Sequence, residues 1–349
     1  MVIDSYENID GTIWLNGAYA RWNEGRAHIL DQGLQYGGCV FEGMRAYNGR
    51  IFKLKEHIER FKKSAELLGF SIPHAQDELE NICRDLLQKQ KLENAYIRPV
   101  AWRGAEKIEL SNKCSVHCAI LCFEWQSYFQ KTDVDLQIAD YKKADARFFP
   151  PQCKGAVNYA VAAFAKTQAE KQGYDDALFL DADGFIAEAT AANIFIIKNG
   201  ELLTPTAKAA LNGITKNVIY EIANGLGMRC RQSDISVSEI YDADEVFLCG
   251  TAAEITGVKR INHVQYNDHK ITNLLRDCYL KMVKRGDGRT IRLDRPLGYA
   301  SLLPVTKSEP YDLMGDPILL EAMNNFTRAL MDNEGASKGP MCNRNKKVA

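Results

Sequence analysis

Five groups along this chain could together handle a phosphorylated, electron-poor ring. They are an amine (Lys154), a phenol (Tyr159), a carboxylate (Glu188) and two glycine-led turns, Gly213-Ile214-Thr215 and Gly250-Thr251-Ala252. An amine condenses with an aldehyde to form an imine. A phenol and a carboxylate tune a ring from its oxygen and nitrogen ends, and free N–H groups at turns and helix starts hold a phosphate. Pyridoxal 5′-phosphate needs this set. The carboxylate matters because a proton kept on a ring nitrogen draws electrons from the carbon being deprotonated, and an opposite charge nearby raises a base's pKa.

Each group also has a plainer reading. Glu188 lies in Phe185-Ile-Ala-Glu188-Ala-Thr-Ala-Ala-Asn-Ile-Phe195, almost all apolar or small. The local pattern favours an exposed carboxylate on the outer face of a strand over a buried, partnered one. Tyr159 serves equally as a ring-oxygen donor or a helix-face aromatic. Thr215 reads as a phosphate ligand at a helix start or as an ordinary N-cap. The 250–252 segment is a second cradle or only a turn.

The elements that must position these groups are legible in outline. Thr12 to Gly17 reads as a strand entering an Asn16-Gly17 hairpin. Leu54–Leu68 and a second segment marked by Leu79, Ile82, Cys83, Leu86 and Leu87 have helical period. Strands are expected near Ala95–Trp102, Ser115–Phe123 and Val134–Tyr141, and helices beside strands suggest an α+β first domain. Lys142–Lys154, with Pro150-Pro151, reads as the tail of a linker. An alanine-rich helix should follow Asn158 and end at Gly173. Hairpins are expected at Ala182-Asp183-Gly184 and Asn199-Gly200. A helix should start at Ile214, a strand should span Asp244–Cys249, and a last main helix should span His269–Lys284. After 285 the composition shifts, and five of the ten prolines fall there. That stretch holds one expected helix, capped by Asp316 with Pro317 at its first position and Leu319, Ala322, Met323, Phe326 and Leu330 on one side. The tail beyond Asn333 reads as disordered.

Bulk composition narrows the classes. A net charge of −1 leaves no basic excess for nucleic acid, and 46% apolar with 26% charged residues is ordinary for a globular protein. No apolar run approaches the roughly 18 residues of a membrane span. The first residues lack the basic and apolar segments of a signal peptide, so a cytoplasmic location is expected. Cys114, Cys118 and Cys122 share a spacing of four, with His117 among them. On a strand this puts the thiols on one buried face, a better account than a metal site.

Taken together, these residues resemble the fold-type IV aminotransferases, specifically the branched-chain amino acid aminotransferases. The similarity runs from about Ile13 to Arg285. It is carried by Tyr36-Gly37 leading to Val40-Phe41-Glu42-Gly43-Met44-Arg45, by Glu56-His57-Ile58-Glu59-Arg60, Ala95-Tyr96-Ile97-Arg98-Pro99, Lys154 to Tyr159 and Asp183-Gly184 to Glu188. Leu211-Asn212-Gly213-Ile214-Thr215 and Gly250-Thr251-Ala252-Ala253-Glu254-Ile255-Thr256 complete it.

The resemblance implies a two-domain α/β chain. A small N-terminal α+β domain would span 1–128, a linker region 129–153, a larger pseudo-barrel domain 154–285 and an extension 286–349. It implies a homodimer in which each site borrows a loop from the other subunit. Lys154 would bind pyridoxal 5′-phosphate covalently and carry the proton. Tyr159 would bind the ring's phenolate oxygen and Glu188 its nitrogen. Arg60, the backbones of Ile214 and Thr215, and Thr251 would hold the phosphate. Tyr96 with the Thr251-Ala252 backbone would receive the substrate α-carboxylate, and Arg98 the side-chain carboxylate of glutamate. Tyr36, Phe41, Trp125, Tyr128 and Tyr159 would line an apolar pocket with Gly43 as a small wall. The implied substrates are an aliphatic L-amino acid and 2-oxoglutarate, with no nucleic-acid or membrane partner.

The alternatives are same-fold D-amino acid aminotransferases and aminodeoxychorismate lyases, an aminotransferase for a specialised amino acid, and a non-catalytic binding protein that kept the fold, against which Lys154, Tyr159, Glu188 and Arg60 together argue. Tyr96-Ile97-Arg98-Pro99 and the 250–254 run favour the branched-chain group. Three positions depart from its pattern: Ala192 where many members carry glutamate, Gly257 in place of a proline, and Gln35 where a histidine often precedes the tyrosine. None belongs to the cofactor set.

Overall fold

Asn16 and Gly17 both take positive φ (49° and 95°), as a mirror-image hairpin turn requires. Across that turn β1 (Thr12–Leu15) pairs antiparallel with β2 (Ala18–Arg21). The computed structural model describes residues 5–110, 113–125, 128–206 and 208–285, together with 291–292 and 311–312. After β2 come the single turn α1 (Gln32–Gln35), then β3 (Cys39–Phe41), β4 (Met44–Tyr47) and β5 (Arg50–Ile51). Helices α2 (Leu54–Leu67) and α3 (Gln76–Lys89) precede the long hairpin β6 (Ala95–Arg103) and β7 (Val116–Glu124). The first sheet runs β2-β1-β7-β6-β4-β5, with β3 also on β6.

Helices of this length are marginal in isolation. They hold here because Ile58, Phe61, Leu79 and Leu86 bury completely against Ile97 and Ile120 of the sheet. Each large side chain so buried contributes roughly 1.5–3 kcal/mol. Cys118 and Cys122 join this core and Cys114 is also buried, as small apolar side chains do.

The second sheet begins with β8 (Asp133–Lys142) and continues through β9 (Asp176–Leu180), β10 (Ile186–Ala189), β11 (Asn193–Lys198), β12 (Glu201–Pro205), β13 (Cys230–Ser233), β14 (Glu245–Gly250), β15 (Glu254–Ile261) and β16 (Val264–Gln265). Its order is β10-β9-β8-β15-β14-β11-β12-β13, with β16 on β15. Helices α4 (Val157–Lys171), α5 (Ile214–Gly225), α6 (Val237–Tyr241) and α7 (Lys270–Arg285) accompany it. The Asn199-Gly200 turn again has both φ positive.

One sequence expectation changes. The strand expected at Val134–Tyr141 belongs to this second sheet rather than to the first domain or a linker. It pairs parallel with both β15 and β9. Periodicity identifies a strand but not its neighbours, and the partner β15 lies far along the chain. The same pairing accounts for Gly257: a Cβ there would come within 2.1 Å of Asp133 Oδ1. Its N–H also bonds the Thr132 carbonyl at 3.2 Å, which a proline could not do.

In the C-terminal region, β17 (Ile291–Arg292) and β18 (Tyr311–Asp312) pair in parallel. The helix expected from Asp316 to Leu330 and the polar tail lie outside the described residues. No described helix is long and apolar enough to cross a membrane.

Candidate active site

Lys154 is fixed through its backbone. Its N–H donates to Ser64 Oγ at 3.0 Å on α2, and its carbonyl accepts from Phe41 N–H at 3.2 Å. Ala156 N–H bonds the Cys39 carbonyl at 2.8 Å, so the segment is sewn along β3 just before α4 begins. Tyr159 lies in the first turn of α4, and Lys154 Nζ donates to its hydroxyl at 2.8 Å. The amine also sits 5.1 Å from the Phe41 ring centroid. The thiols on either side are not competitors. Burial pushes Cys39 and Cys153 each up to about 11, so both stay protonated at neutral pH.

Glu188 overturns its local reading: it is buried, at 6% exposure. All four residues of β10 are buried, because small alanines let neighbouring elements close over both faces. Three donors meet the carboxylate. Lys143 Nζ pairs with Oε1, while Asn193 Nδ2 (3.1 Å) and Leu211 N–H (3.0 Å) reach Oε2. Gly213 makes this possible, since a Cβ there would fall 1.9 Å from Asn193 Oδ1. Neither Lys143 nor Asn193 carries a motif that sequence reasoning could have seized on. Beneath this floor lies Lys216, whose buried Nζ has no hydrogen-bond partner among the described residues; burial lowers its pKa.

Arg60 reaches the cleft from α2 because Glu42 holds it. Glu42 is fully buried and accepts Arg60 Nε at 2.6 Å, Arg60 Nη2 at 3.0 Å and His57 Nδ1 at 2.7 Å. The carboxylate only accepts, so His57 donates from Nδ1. Burial alone would raise the Glu42 carboxyl, but Arg60 and His57 more than offset it and hold it well below the usual carboxylate range. Burial outweighs the carboxylate at His57 and pushes the imidazole down. Sequence reasoning assigned Glu42 no task. Its folded pKa is depressed, so its stabilisation is present above the ordinary carboxylate range and lost as pH falls through and below it. Glu42→Gln should therefore lower stability at neutral pH by about 1–3 kcal/mol. It should also flatten the loss of stability below about pH 4, read from denaturant midpoints across pH. Equal slopes for the two proteins would contradict this account.

These groups face one cleft of about 280 Å³. Lys154, Tyr159, Glu188, Arg60, Ile214, Thr215, Thr251 and Ala252 line it, as do Phe41, Gly43, Tyr96, Arg98, Trp125 and Tyr128. Arg98 lies over the Phe41 and Tyr96 rings, 4.7 and 5.2 Å from their centroids. Trp125 packs against Tyr96 at a tilt of 34°, with ring centroids 4.8 Å apart. Gly43 is required by close approach: a Cβ would sit 1.9 Å from the Tyr96 hydroxyl. Tyr36 is the exception among the residues expected in the pocket. It does not line the cleft of its own chain; it ends α1 at 45% exposure, its hydroxyl bonded to the Ile108 carbonyl at 2.8 Å.

Such a cleft can hold a phosphorylated phenolic ring. One arginine, one helix start, an amine beside a phenol, and a buried carboxylate all line it, the donor and acceptor types such a ring would require. An aromatic box with one cation at its edge can take an aliphatic or an acidic side chain.

Comparison with known proteins agrees. The family described as Amino-transferase class IV matches residues 39–261. A probable branched-chain-amino-acid aminotransferase of Rickettsia bellii is 39% identical over 277 residues, covering 78% of this chain and 96% of the relative. The branched-chain aminotransferase of Thermoproteus uzoniensis, solved with norvaline, superimposes with a TM-score of 0.77 at 30% identity, covering 80% of this chain and 96% of that one. The branched-chain amino acid aminotransferase of Escherichia coli gives 0.76 at 31% identity, again covering 80% and 96%.

Proposed function

The chain belongs to the class IV aminotransferases, among the branched-chain-amino-acid aminotransferases, and on that premise we propose that it moves an amino group between an aliphatic L-amino acid and 2-oxoglutarate in two ping-pong half-reactions. The carrying observation is that one cleft gathers the Lys154–Tyr159 pair, buried Glu188, and Arg98 over an aromatic wall.

Pyridoxal 5′-phosphate fits this donor set, and when bound it supplies an aldehyde for the amine and an electron-withdrawing ring. Lys154 would anchor it, and once the incoming substrate amine displaces that bond, the freed Lys154 Nζ would be the base that takes the proton from the substrate's α-carbon. Tyr159 Oη, 2.8 Å from that amine, orients it and meets the ring oxygen. Glu188 would hold the proton on the ring nitrogen. Arg60, Thr251 and the N–H groups of Ile214 and Thr215 bind the phosphate, aided by the α5 dipole. Tyr96 and the Thr251-Ala252 backbone take the α-carboxylate. Phe41, Gly43, Trp125 and Tyr128 shape the side-chain pocket and exclude water.

Arg98 serves the second substrate. Arg98→Ala should cut kcat/KM for 2-oxoglutarate by roughly 10–100-fold, the worth of a lost charged hydrogen bond, and that for L-leucine by less than about threefold. Equal losses on both substrates would argue against this assignment.

The reading includes a homodimer. Tyr36, Ile29, Leu34 and Ile108 form an exposed apolar edge tied together by the Tyr36–Ile108 and Gln35–Ile29 hydrogen bonds, which a second copy would cover. It also includes a cytoplasmic location, with which nine described free thiols are in keeping.

The test is spectroscopic. The purified protein should be yellow, bleach with L-leucine and recover its colour with 2-oxoglutarate. Protein that takes up no pyridoxal 5′-phosphate would end the proposal, and bleaching by D-alanine but not L-leucine would redirect it to the D-specific relatives.

A further inference from the structure

Glu254 opens β15 with φ at +52°, a conformation disfavoured for any residue carrying a Cβ. It pairs with Gly250 and so closes the turn that holds Thr251, Ala252 and Ala253. Its side chain shows what holds the backbone there. Glu254 Oε1 accepts Arg45 Nη1 at 2.9 Å and Tyr47 Oη at 2.7 Å. Both donors stand on β4 of the first sheet, two residues apart and hence on one face, with the Arg45 guanidinium 4.9 Å from the Tyr47 ring centroid. The tie continues inward. The buried Tyr279 hydroxyl on α7 faces both Tyr47 and Thr215. On the turn's other side Thr256 Oγ1 donates to the Ala253 carbonyl at 2.7 Å. A polar chain thus runs from β4, through Arg45 and Tyr47, to Glu254 and the 250–253 turn, and Tyr279 stands between Tyr47 and Thr215 of the 213–215 helix start.

We propose that Glu254, gripped by Arg45 and Tyr47, is a positioning residue that keeps the 250–253 turn in register with the 213–215 turn. The two turns can then hold a phosphate and an α-carboxylate at a fixed separation. This rests on the function proposed above. None of Glu254, Tyr47, Arg45 and Tyr279 lines the cleft, so their effect on ligands is indirect.

Glu254→Gly is the informative change. Glycine adopts positive φ freely, so the variant removes the grip while relieving the backbone. Glu254→Gln keeps an oxygen for both donors. Binding of 4-methylvaleric acid, an unreactive branched carboxylate, to the holoenzyme is measured by calorimetry, and pyridoxal 5′-phosphate affinity by titrating the apoenzyme. Both should weaken by about tenfold in Glu254→Gly, the scale of one charged hydrogen bond, and by less than about threefold in Glu254→Gln. Tyr47→Phe should weaken both similarly, and its combination with Glu254→Gly should be no worse than Glu254→Gly alone, because the two act through one contact. Unchanged affinities in Glu254→Gly overturn the inference, as does a lowered thermal midpoint with affinity intact. Strictly additive losses also overturn it. If the wild-type protein binds neither probe, the proposed function fails first and this inference falls with it.

Discussion

Lys154→Ala should reduce turnover by at least about 10²–10⁴, the contribution of a positioned proton-transfer group, and the loss of the covalent anchor adds to this. The fold should survive the change. Residue 154 is held by its N–H on Ser64 and its carbonyl on Phe41, contacts that any residue except proline keeps. Arg60, Thr215 and Glu188 remain, so the variant should still take up pyridoxal 5′-phosphate without fixing it. Borohydride followed by denaturation should release the cofactor from Lys154→Ala and not from the wild type. The cleft makes this a demanding test, because it contains a second amine. Lys143 also lines it, but its Nζ is committed to Glu188 rather than to a phenol. Peptide mapping that finds the label on Lys143, or turnover within tenfold of wild type, would refute the assignment of Lys154.

What the chain's sequence makes legible is the information that is local. Turn chemistry is local: Asn16-Gly17 and Asn199-Gly200 specify positive φ at both positions, and the hairpins form where expected. Helix faces are local too, and α2 and α3 present the apolar stripes their period describes. Burial of a single polar residue is not local. Glu188 reads as a solvated strand residue because its covering comes from elsewhere, with Lys143 before α4, Asn193 on β11 and Leu211 before α5. Only the order of motifs along the whole chain points to a cofactor role for Glu188; a window around the residue does not. Glu42 and Glu254 were missed for the same reason. Each is an acid inside a recognisable motif, and its partners Arg60, His57, Arg45 and Tyr47 sit on other elements. Tyr36 shows the converse: its motif points to the pocket, and the cleft of the single chain does not receive it.

The second large effect is expected at Glu188→Gln, and the donors around the carboxylate explain why so small a change is severe. Each hydrogen-bond partner among the described residues presents hydrogen: Lys143 Nζ at Oε1, and Asn193 Nδ2 and the Leu211 N–H at Oε2. An ionised carboxylate satisfies them all and keeps lone pairs for a ring N–H. Glutamine has one oxygen and one amide nitrogen. If its oxygen faces Asn193 and Leu211, its NH₂ points at the Lys143 ammonium and at the ring. If it flips, the NH₂ meets two other donors. Either way a buried donor loses its partner, costing about 1–3 kcal/mol of stability. The larger effect is on chemistry, since no negative charge remains to keep the ring nitrogen protonated as the α-proton leaves. Turnover should fall by on the order of 10²–10³, as when one preorganised electrostatic group is removed from a dry site. KM should move little, because Arg60, Tyr96 and the two turns are untouched, and borohydride should still fix the cofactor to Lys154. Asn193→Ala is the control: it loosens the carboxylate but leaves its charge, so its loss should be smaller. If Glu188→Gln kept turnover within tenfold of wild type, or if Asn193→Ala proved the more damaging, the charge of Glu188 would not be what the buried strand β10 is built to deliver.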